Sequence, residues 1–439
     1  MKPRIDVITM GCSKNLVDSE RLMKVFEDAG FAVRHNPEVV DADEVIVNTC
    51  GFIGDAKEES INMILQCCMA KKEGRVGKVT VMGCLSQRYA EILPAEIPEV
   101  DRWYGKFDWM KIARELTLQN PGSSPWERVI TTPKHHAYIK ISEGCNRFCA
   151  FCAIPLITGR HKSRSLEDIT EEVRNLAGKG VSEFNIIAQD LSSYGLDLYG
   201  ESKLVTLLEN LAQIQGVRRI RLHYAYPTAF PFDILPVMRR YSNICKYLDI
   251  ALQHVNDKVL ENMRRHITGE ETRELLKRIR KEVPGIHIRT TMMVGFPGEG
   301  EKEFEELLDF VKEQRFERLG AFAYCEEDDT YAAKHLPNDI PPEVKQQRLD
   351  ALMEVQQQIS MEINEAKIGK TFTVVIDSET EEYYIGRTDF DSPEVDPEVL
   401  IPKDSEGSAN LKRGDYCSVL ITEALPFDLI GKVACRIED

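Results

Sequence analysis

Three cysteines crowd into one short stretch of this 439-residue chain: Cys145, Cys149 and Cys152, in SEGCNRFCAFCAIP. They wrap a single loop, so they cannot all be core filler. Thiolates are soft ligands suited to iron–sulfur clusters and zinc. Three of them, rather than four, leave a metal position unfilled. In a cubane 4Fe–4S cluster that means one iron free for an outside ligand. Zinc is the alternative, but Cys-x3-Cys-x2-Cys without a histidine at ligand spacing fits zinc ribbons poorly. A second set is scattered through the first hundred residues. Cys12, Cys50 and Cys84 each follow an apolar run at once, in IDVITMGC, EVIVNTC and KVTVMGC. If those runs are parallel strands, their carboxyl ends share one edge, and the three thiols converge on the crevice where such sheets bind ligands. A second cluster with an open iron is then expected, against the alternative of three buried cysteines.

The elements that must position these thiols follow from the pattern around them. Residues 1–118 alternate apolar runs (Ile5–Met10, Glu44–Asn48, Lys78–Met82) with helical stretches (Leu16–Ala29, Asp55–Lys72). This alternation predicts a three-layer α/β domain with a parallel sheet. Residues 119–134 (QNPGSSPWERVITTPK) have a linker's composition. From 135 to 368 the alternation resumes with longer helices. Strand-like runs at Ala137–Ser142, Phe184–Ala188, Arg219–Tyr224, Tyr247–Leu252, Ile286–Val294 and Leu319–Tyr324 predict a complete or partial (β/α)6 barrel resembling a TIM barrel, working at its strand carboxyl ends. A Gln-rich helix, Pro341–Lys367, leads into residues 369–439, whose short alternating runs predict a small antiparallel β-barrel of the oligonucleotide-binding type. The fold class is α/β with this barrel appended.

Composition sets limits. With 43% apolar and 29% charged residues the chain is globular. No run approaches the roughly 18 apolar residues of a membrane helix, and the first residues lack a signal peptide's apolar core. A cytoplasmic protein without membrane contact is expected. Twelve cysteines are too dilute for a disulfide scaffold. The net charge of −16 disfavours a protein that grips nucleic acid by its phosphates. Most of that charge is local: from Thr371 onward sixteen acids face six bases. An acidic barrel repels RNA and attracts a basic protein, unless the acids serve solubility alone.

The Cys145–Cys149–Cys152 spacing on a β/α barrel is similar to the radical S-adenosylmethionine (SAM) superfamily. The resemblance implies that the open iron chelates SAM, and that reductive cleavage of SAM gives a radical able to take hydrogen from an unactivated carbon. It also places Phe151 on the adenosine side. Two three-cysteine sets in this order resemble the methylthiotransferases, a radical SAM family with an N-terminal sulfur-handling domain and a C-terminal TRAM barrel. That family implies two 4Fe–4S clusters, a second SAM that methylates sulfur on the N-terminal cluster, and an external electron donor. Within it, GCSKNLVDSE, NTCGFIGDAKEESI, DIALQH and GRTDFDSPEVD look like the branch that modifies an aspartate β-carbon on the small-subunit ribosomal protein numbered twelve. The tRNA-modifying branch reads closer to YGCQMN and NTCSVR. The implied partner is therefore a basic ribosomal protein docked by the acidic barrel, with RNA contact only in the ribosomal context. The alternatives are methylthiolation of a tRNA adenosine and a non-catalytic iron–sulfur or zinc protein.

Further SAM contacts are expected at the strand carboxyl ends. Gln189, in NIIAQDLSSYG, stands where radical SAM proteins often carry Gly-Gly-Glu, a departure from that motif. Gln253 and Gly295 end later strands, and Arg289 lies within one, where a barrel cation meets an anion such as the SAM carboxylate or the substrate aspartate. Cys325 is expected near the adenine without being a ligand. Cys67, Cys68, Cys245, Cys417 and Cys435 are expected in cores.

Overall fold

RIDVIT forms β1 (Arg4–Thr9), and its Ile5, Val7 and Ile8 are buried, as a strand covered on both faces requires. The computed structural model describes residues 3–117, 127–405, 407–408 and 410–437, so residues 119–126 of the expected linker lie outside the described residues. β1 pairs in parallel with β2 (Ala32–His35) and β3 (Ala42–Thr49). β4 (Val76–Gly83) and β5 (Arg102–Trp103) complete a five-stranded sheet in the order β2-β1-β3-β4-β5. Helices α1 (Ser13–Asp28) and α2 (Gly54–Lys72) follow β1 and β3, and the short α3 (Cys84–Arg88) follows β4. The three expected strands are the middle of the sheet; the edge strands β2 and β5 are too short, or too little buried, to show an apolar run.

Beyond the linker, β6 (His136–Lys140) opens the central barrel. A two-residue ladder, β7 (Ser142–Glu143) with β8 (Lys162–Ser163), clamps the base of the cysteine loop. β9 (Glu183–Ile187), β10 (Arg219–Ala225), β11 (Ile244–Gln253), β12 (His287–Val294) and β13 (Arg318–Ala323) follow. The six long strands lie in the order β13-β12-β11-β10-β9-β6 and the end strands do not pair, so the barrel is partial. Helix α1 packs Leu16 and Val17 onto Tyr138 of β6 and Ile187 of β9.

The helix Pro342–Glu365 lies against the central barrel through Leu352 and Ile359, and its Asn364 Nδ2 donates to the carbonyls of Leu425 and Phe427 in the last domain. That domain is a closed barrel of β14 (Thr371–Glu379), β15 (Tyr383–Thr388), β16 (Val399–Pro402), β17 (Tyr416–Ala424) and β18 (Leu429–Ile437). Its pairings are antiparallel except β16 with β18. Five strands cannot close with every neighbour reversed, so one parallel pair is a geometric necessity. The β15–β16 loop enters the amino end of the central barrel, where Arg318 Nε donates to Asp391 at 3.0 Å and Arg221 Nη1 to the Asp389 carbonyl at 2.8 Å. Among the described residues no helix is long and apolar enough to cross a membrane.

Candidate functional site

The N-terminal thiols stand at the carboxyl edge of the first sheet. Cys12 precedes α1, Cys50 follows β3, and Cys84 opens α3. Gly11 makes their approach possible: at φ +85 it has no Cβ, and one built there would lie 2.6 Å from Cys50 Cβ and 2.8 Å from its Sγ. Ser60 Oγ accepts from the Cys50 N–H at 3.0 Å and donates to the Cys50 carbonyl at 3.1 Å, fixing that turn. Asn15 Nδ2 ties the ends of β1 and β3 by donating to the carbonyls of Met10 and Thr49. Burial pushes the Cys84 thiol up to about 12 and also raises Cys50. Desolvation acts the same way on Cys12, but Lys14 and Lys106 outweigh it and hold that thiol below its ordinary value.

The second triad rides on the loop that β7 and β8 close. Cys145 N–H donates to the Gly159 carbonyl, and Cys152 N–H to that of Cys149. Gly144, at φ +73, lets the loop pass against the backbone of Arg160. Arg265 Nη1 donates to Cys149 Sγ at 3.2 Å, with Tyr226 Oη 3.6 Å from the same sulfur. The guanidiniums of Arg147 and Arg265 lie 4.2 Å and 4.1 Å from the Tyr226 ring centroid. Burial pushes Cys145 up to about 11 and raises Cys152 further. Ligation at either triad must therefore displace protons.

The donor sets fit iron–sulfur clusters better than single ions. Thiolates about 2.3 Å from one zinc lie roughly 4 Å apart. Among the described residues neither triad gathers its sulfurs within 4.8 Å of one another, as a site closed on a single ion would. The one set that does gather, His135, His136 and Asp377, is an ion-pair site: Arg387 donates to both Asp377 oxygens, at 2.6 Å and 2.9 Å.

A buried polar network runs from the first triad to Glu143, two residues before Cys145, and to Gln189. Cys84 packs on Ala153 and Ile157, immediately past Cys152. The Cys84 thiol donates to Asn15 Oδ1 at 3.6 Å, which also accepts from Lys106 at 3.2 Å. Lys106 pairs with Asp18 at 3.1 Å, Asp18 with Lys140, and Lys140 with Glu143. Glu143 Oε2 accepts from Gln189 Nε2 at 3.0 Å, while Gln189 Oε1 is buried without a partner. An orphaned acceptor at a strand end is suited to a ligand's N–H. Cys84 and Gln189 stand out in the sequence. Asn15 and Asp18 lie within GCSKNLVDSE and Glu143 just before Cys145, but those strings do not show their partners; Lys106 and Lys140 carry no motif, and Asp18 meets Lys140 across 122 positions.

The remaining sequence candidates divide. Phe151 stacks edge-on with Phe296 at 6.1 Å, and Phe296 with Tyr324 at 4.9 Å, an apolar wall beside the cysteine loop. Gln253 lies at φ +73 where β11 slips register against β12, and Tyr224 at φ +67 where β10 slips against β11. Left-handed bulky residues at adjacent strand ends are strained, a feature that gathers at functional sites. Arg289 Nη1 donates to Asp396 of the last domain at 3.0 Å, an anion supplied by the chain itself. At Gly295, φ +71, the stem of Lys345 fills the space where a Cβ would stand, so the close approach of that side chain requires glycine. Cys67, Cys68, Cys245 and Cys417 are buried as expected; Cys435 is exposed, on an outward position of β18. Cys325 is also exposed, beside Gly54.

Residues 139–311 match the radical SAM superfamily, residues 4–105 an uncharacterized protein family designated UPF0004, and residues 368–434 the TRAM domain. The chain is 56% identical over 432 residues to the ribosomal protein uS12 methylthiotransferase RimO of Parabacteroides distasonis, covering 98% of this chain and 99% of that protein. It is 55% identical over 437 residues to the protein of the same name from Bacteroides thetaiotaomicron, covering both completely. Among solved structures it is similar in fold to the radical SAM methyltransferase TsrM of Kitasatospora setae, which holds cobalamin and a 4Fe–4S cluster. The TM-score there is 0.53 at 14% identity, over 74% of this chain and 72% of that one.

Proposed function

The chain belongs to the ribosomal protein uS12 methylthiotransferases, a radical SAM family, and from that premise we propose that it methylthiolates an aspartate β-carbon of that ribosomal protein with two 4Fe–4S clusters and SAM. Cys12, Cys50 and Cys84 hold one cluster, and Cys145, Cys149 and Cys152 the other. When bound, these groups supply the methylthio sulfur and methyl, and the radical that takes hydrogen from carbon.

The residues around them bind and orient. Gln189, fixed by Glu143, offers its free Oε1 to the SAM ammonium. Phe151, backed by Phe296, walls the adenosine side. Gln253, turned by its positive φ, presents a side-chain amide at the same strand edge. The domains divide at 1–118, 135–368 and 369–439, the site is cytoplasmic, and an external donor supplies electrons. The observation that most supports two cooperating centres is the unbroken polar network from Cys84 to Gln189, because it gives two sites on separate domains one fixed relation. A tRNA substrate is not favoured, since the full-length relatives are named for uS12.

Anaerobic reconstitution tests the cluster count: two cubanes predict about eight irons per chain. Replacing Cys145, Cys149 and Cys152 with Ala should abolish SAM cleavage and leave about four. SAM cleavage that persists in that variant contradicts the ligand assignment. Mass spectrometry of ribosomal proteins from cells with and without the gene tests the substrate; an unchanged uS12 beside altered tRNA would overturn it.

A further inference from the structure

Five lysines are buried, and four of them are satisfied by oxygen. Lys106 and Lys140 pair with Asp18, Lys345 donates to the Tyr324 carbonyl and Asn338 Oδ1, and Lys367 donates to Asn364 Oδ1. Lys14 is different. It is 8% exposed, and its ammonium lies over the Tyr224 ring, 3.4 Å from the centroid. Among the described residues no carboxylate oxygen comes within 4.0 Å of its Nζ. The acids that the β15–β16 loop brings into the central barrel are engaged elsewhere: Asp396 by Arg289 and Tyr247, and Glu394 by the Tyr138 hydroxyl. Asp249, which feels the charge of Lys14, lies 4.0 Å from the Arg289 guanidinium.

We propose that Lys14 is the seat for the carboxylate of the aspartate that this site modifies. The inference rests on the substrate reading above and deepens it. A desolvated ammonium with only an aromatic face beneath it gains strongly from an arriving anion. The incoming aspartate has the matching need. Its β-carbon must reach the space between the two triads, and its carboxylate is attached to that carbon. It is therefore drawn out of water with its charge and requires a cation there. Lys14 stands two residues after Cys12, in the first turn of α1, the helix that packs on β6 and β9 of the central barrel. Its aromatic support, Tyr224, is the residue that the β10 register slip holds at φ +67. The strained strand end thus has a use: it places a ring under the ammonium and fixes its height. Gln253, at the end of the neighbouring strand, lies on the same edge.

The test compares binding of the ribosomal substrate with binding of the same protein carrying asparagine at the target position, measured by fluorescence anisotropy on the anaerobic holoenzyme. Wild type should prefer the aspartate form by about ten- to a hundredfold, the range of a charge-assisted hydrogen bond. Lys14→Met keeps a stem of similar length over Tyr224 and should lose that preference, with KM raised more than kcat is lowered. Lys14→Arg should restore part of it. Iron content at the wild-type level in both variants shows that they are folded and loaded. If Lys14→Met still separates aspartate from asparagine as wild type does, the inference is overturned. A wild type that neither binds nor modifies the ribosomal protein overturns the substrate reading, and this inference with it.

Discussion

Gly11 shows how much of the site depends on one missing carbon. Its φ of +85 is a backbone state that L side chains adopt at a cost of about 1–2 kcal/mol, and a Cβ there would overlap Cys50. Gly11→Ala should therefore displace the Cys50 thiol without touching the loop that carries Cys145. Iron after anaerobic reconstitution should fall from about eight to about four per chain, on the basis of two cubanes, while SAM cleavage survives. Full iron content in the variant would show that the Cys50 turn yields instead. The six cysteines and Gln189 are legible in the sequence because each is marked locally, by spacing on one loop or by its place after an apolar run. The network between them is not. Lys106 reaches Asp18 across 88 positions and Lys140 reaches it across 122, and only the docking of two domains brings them together. The neighbours of Arg289 and Gly295 are hidden for the same reason, since Asp396 and Lys345 arrive from far along the chain.

Between elements, the amino end of the central barrel is sealed by charge rather than by apolar packing. Glu183 at the start of β9 accepts from Arg387 of β15 at 3.0 Å and 3.2 Å, with Arg221 at 3.4 Å. Burial alone would raise the Glu183 carboxyl, but Arg387, Arg221 and Arg219 hold it well below the usual range. Arg387→Met removes the best partner of a fully buried carboxylate and of Asp377 together. A loss of about 3 kcal/mol is expected, read as a lower urea midpoint, and Glu183→Gln in the same chain should recover part of it. The seal also titrates. Burial, aided by Arg387, holds the neighbouring His136 down to about 3. A histidine kept neutral in the fold binds its proton more readily when unfolded. Stability should therefore fall as the pH drops from the ordinary histidine value of about 6.5. The depressed carboxylates Glu183 and Asp391 stabilise above the ordinary carboxyl range and lose that contribution only below about pH 4. Melting temperature should accordingly decline from pH 6.5 to 4.5 in wild type and less steeply in His136→Gln, where His223 and His287, also held down by burial, keep part of the slope; equal slopes would clear His136 of the effect. Strands with long apolar runs were readable in the sequence, but β2, β5 and β16 were not. Each is short, and its place is set by the strand it pairs with rather than by its own pattern.

Across the whole molecule, charge is divided between holding the domains together and facing outward. The net −16 and the sixteen acids after Thr371 suggest a uniformly acidic barrel. In the fold, Asp377, Asp391 and Asp396 are instead committed to Arg387, Arg318 and Arg289. The central barrel supplies Arg318 and Arg289, and these pairs anchor the last domain beneath it. Composition could not separate these acids from the rest, because the distinction is one of burial against a partner domain. Among the described residues Glu379, Glu381, Glu382, Glu394, Glu398, Asp404 and Glu423 remain exposed. If the last domain docks a basic ribosomal protein, these exposed acids set its long-range pull and the buried acids contribute little. Exposed charges act on the rate of encounter more than on the strength of the final contact, and over a Debye length of about 10 Å at 0.1 M salt. Reversing Glu381, Glu382 and Glu423 to lysine should therefore slow association with the ribosomal protein about tenfold at low salt. It should also flatten the dependence of that rate on ionic strength, and leave iron content and substrate-free SAM cleavage as they were. Stopped-flow association at several salt concentrations reads both effects. An association rate that keeps its wild-type value and salt slope in the triple variant would move the docking surface off this barrel.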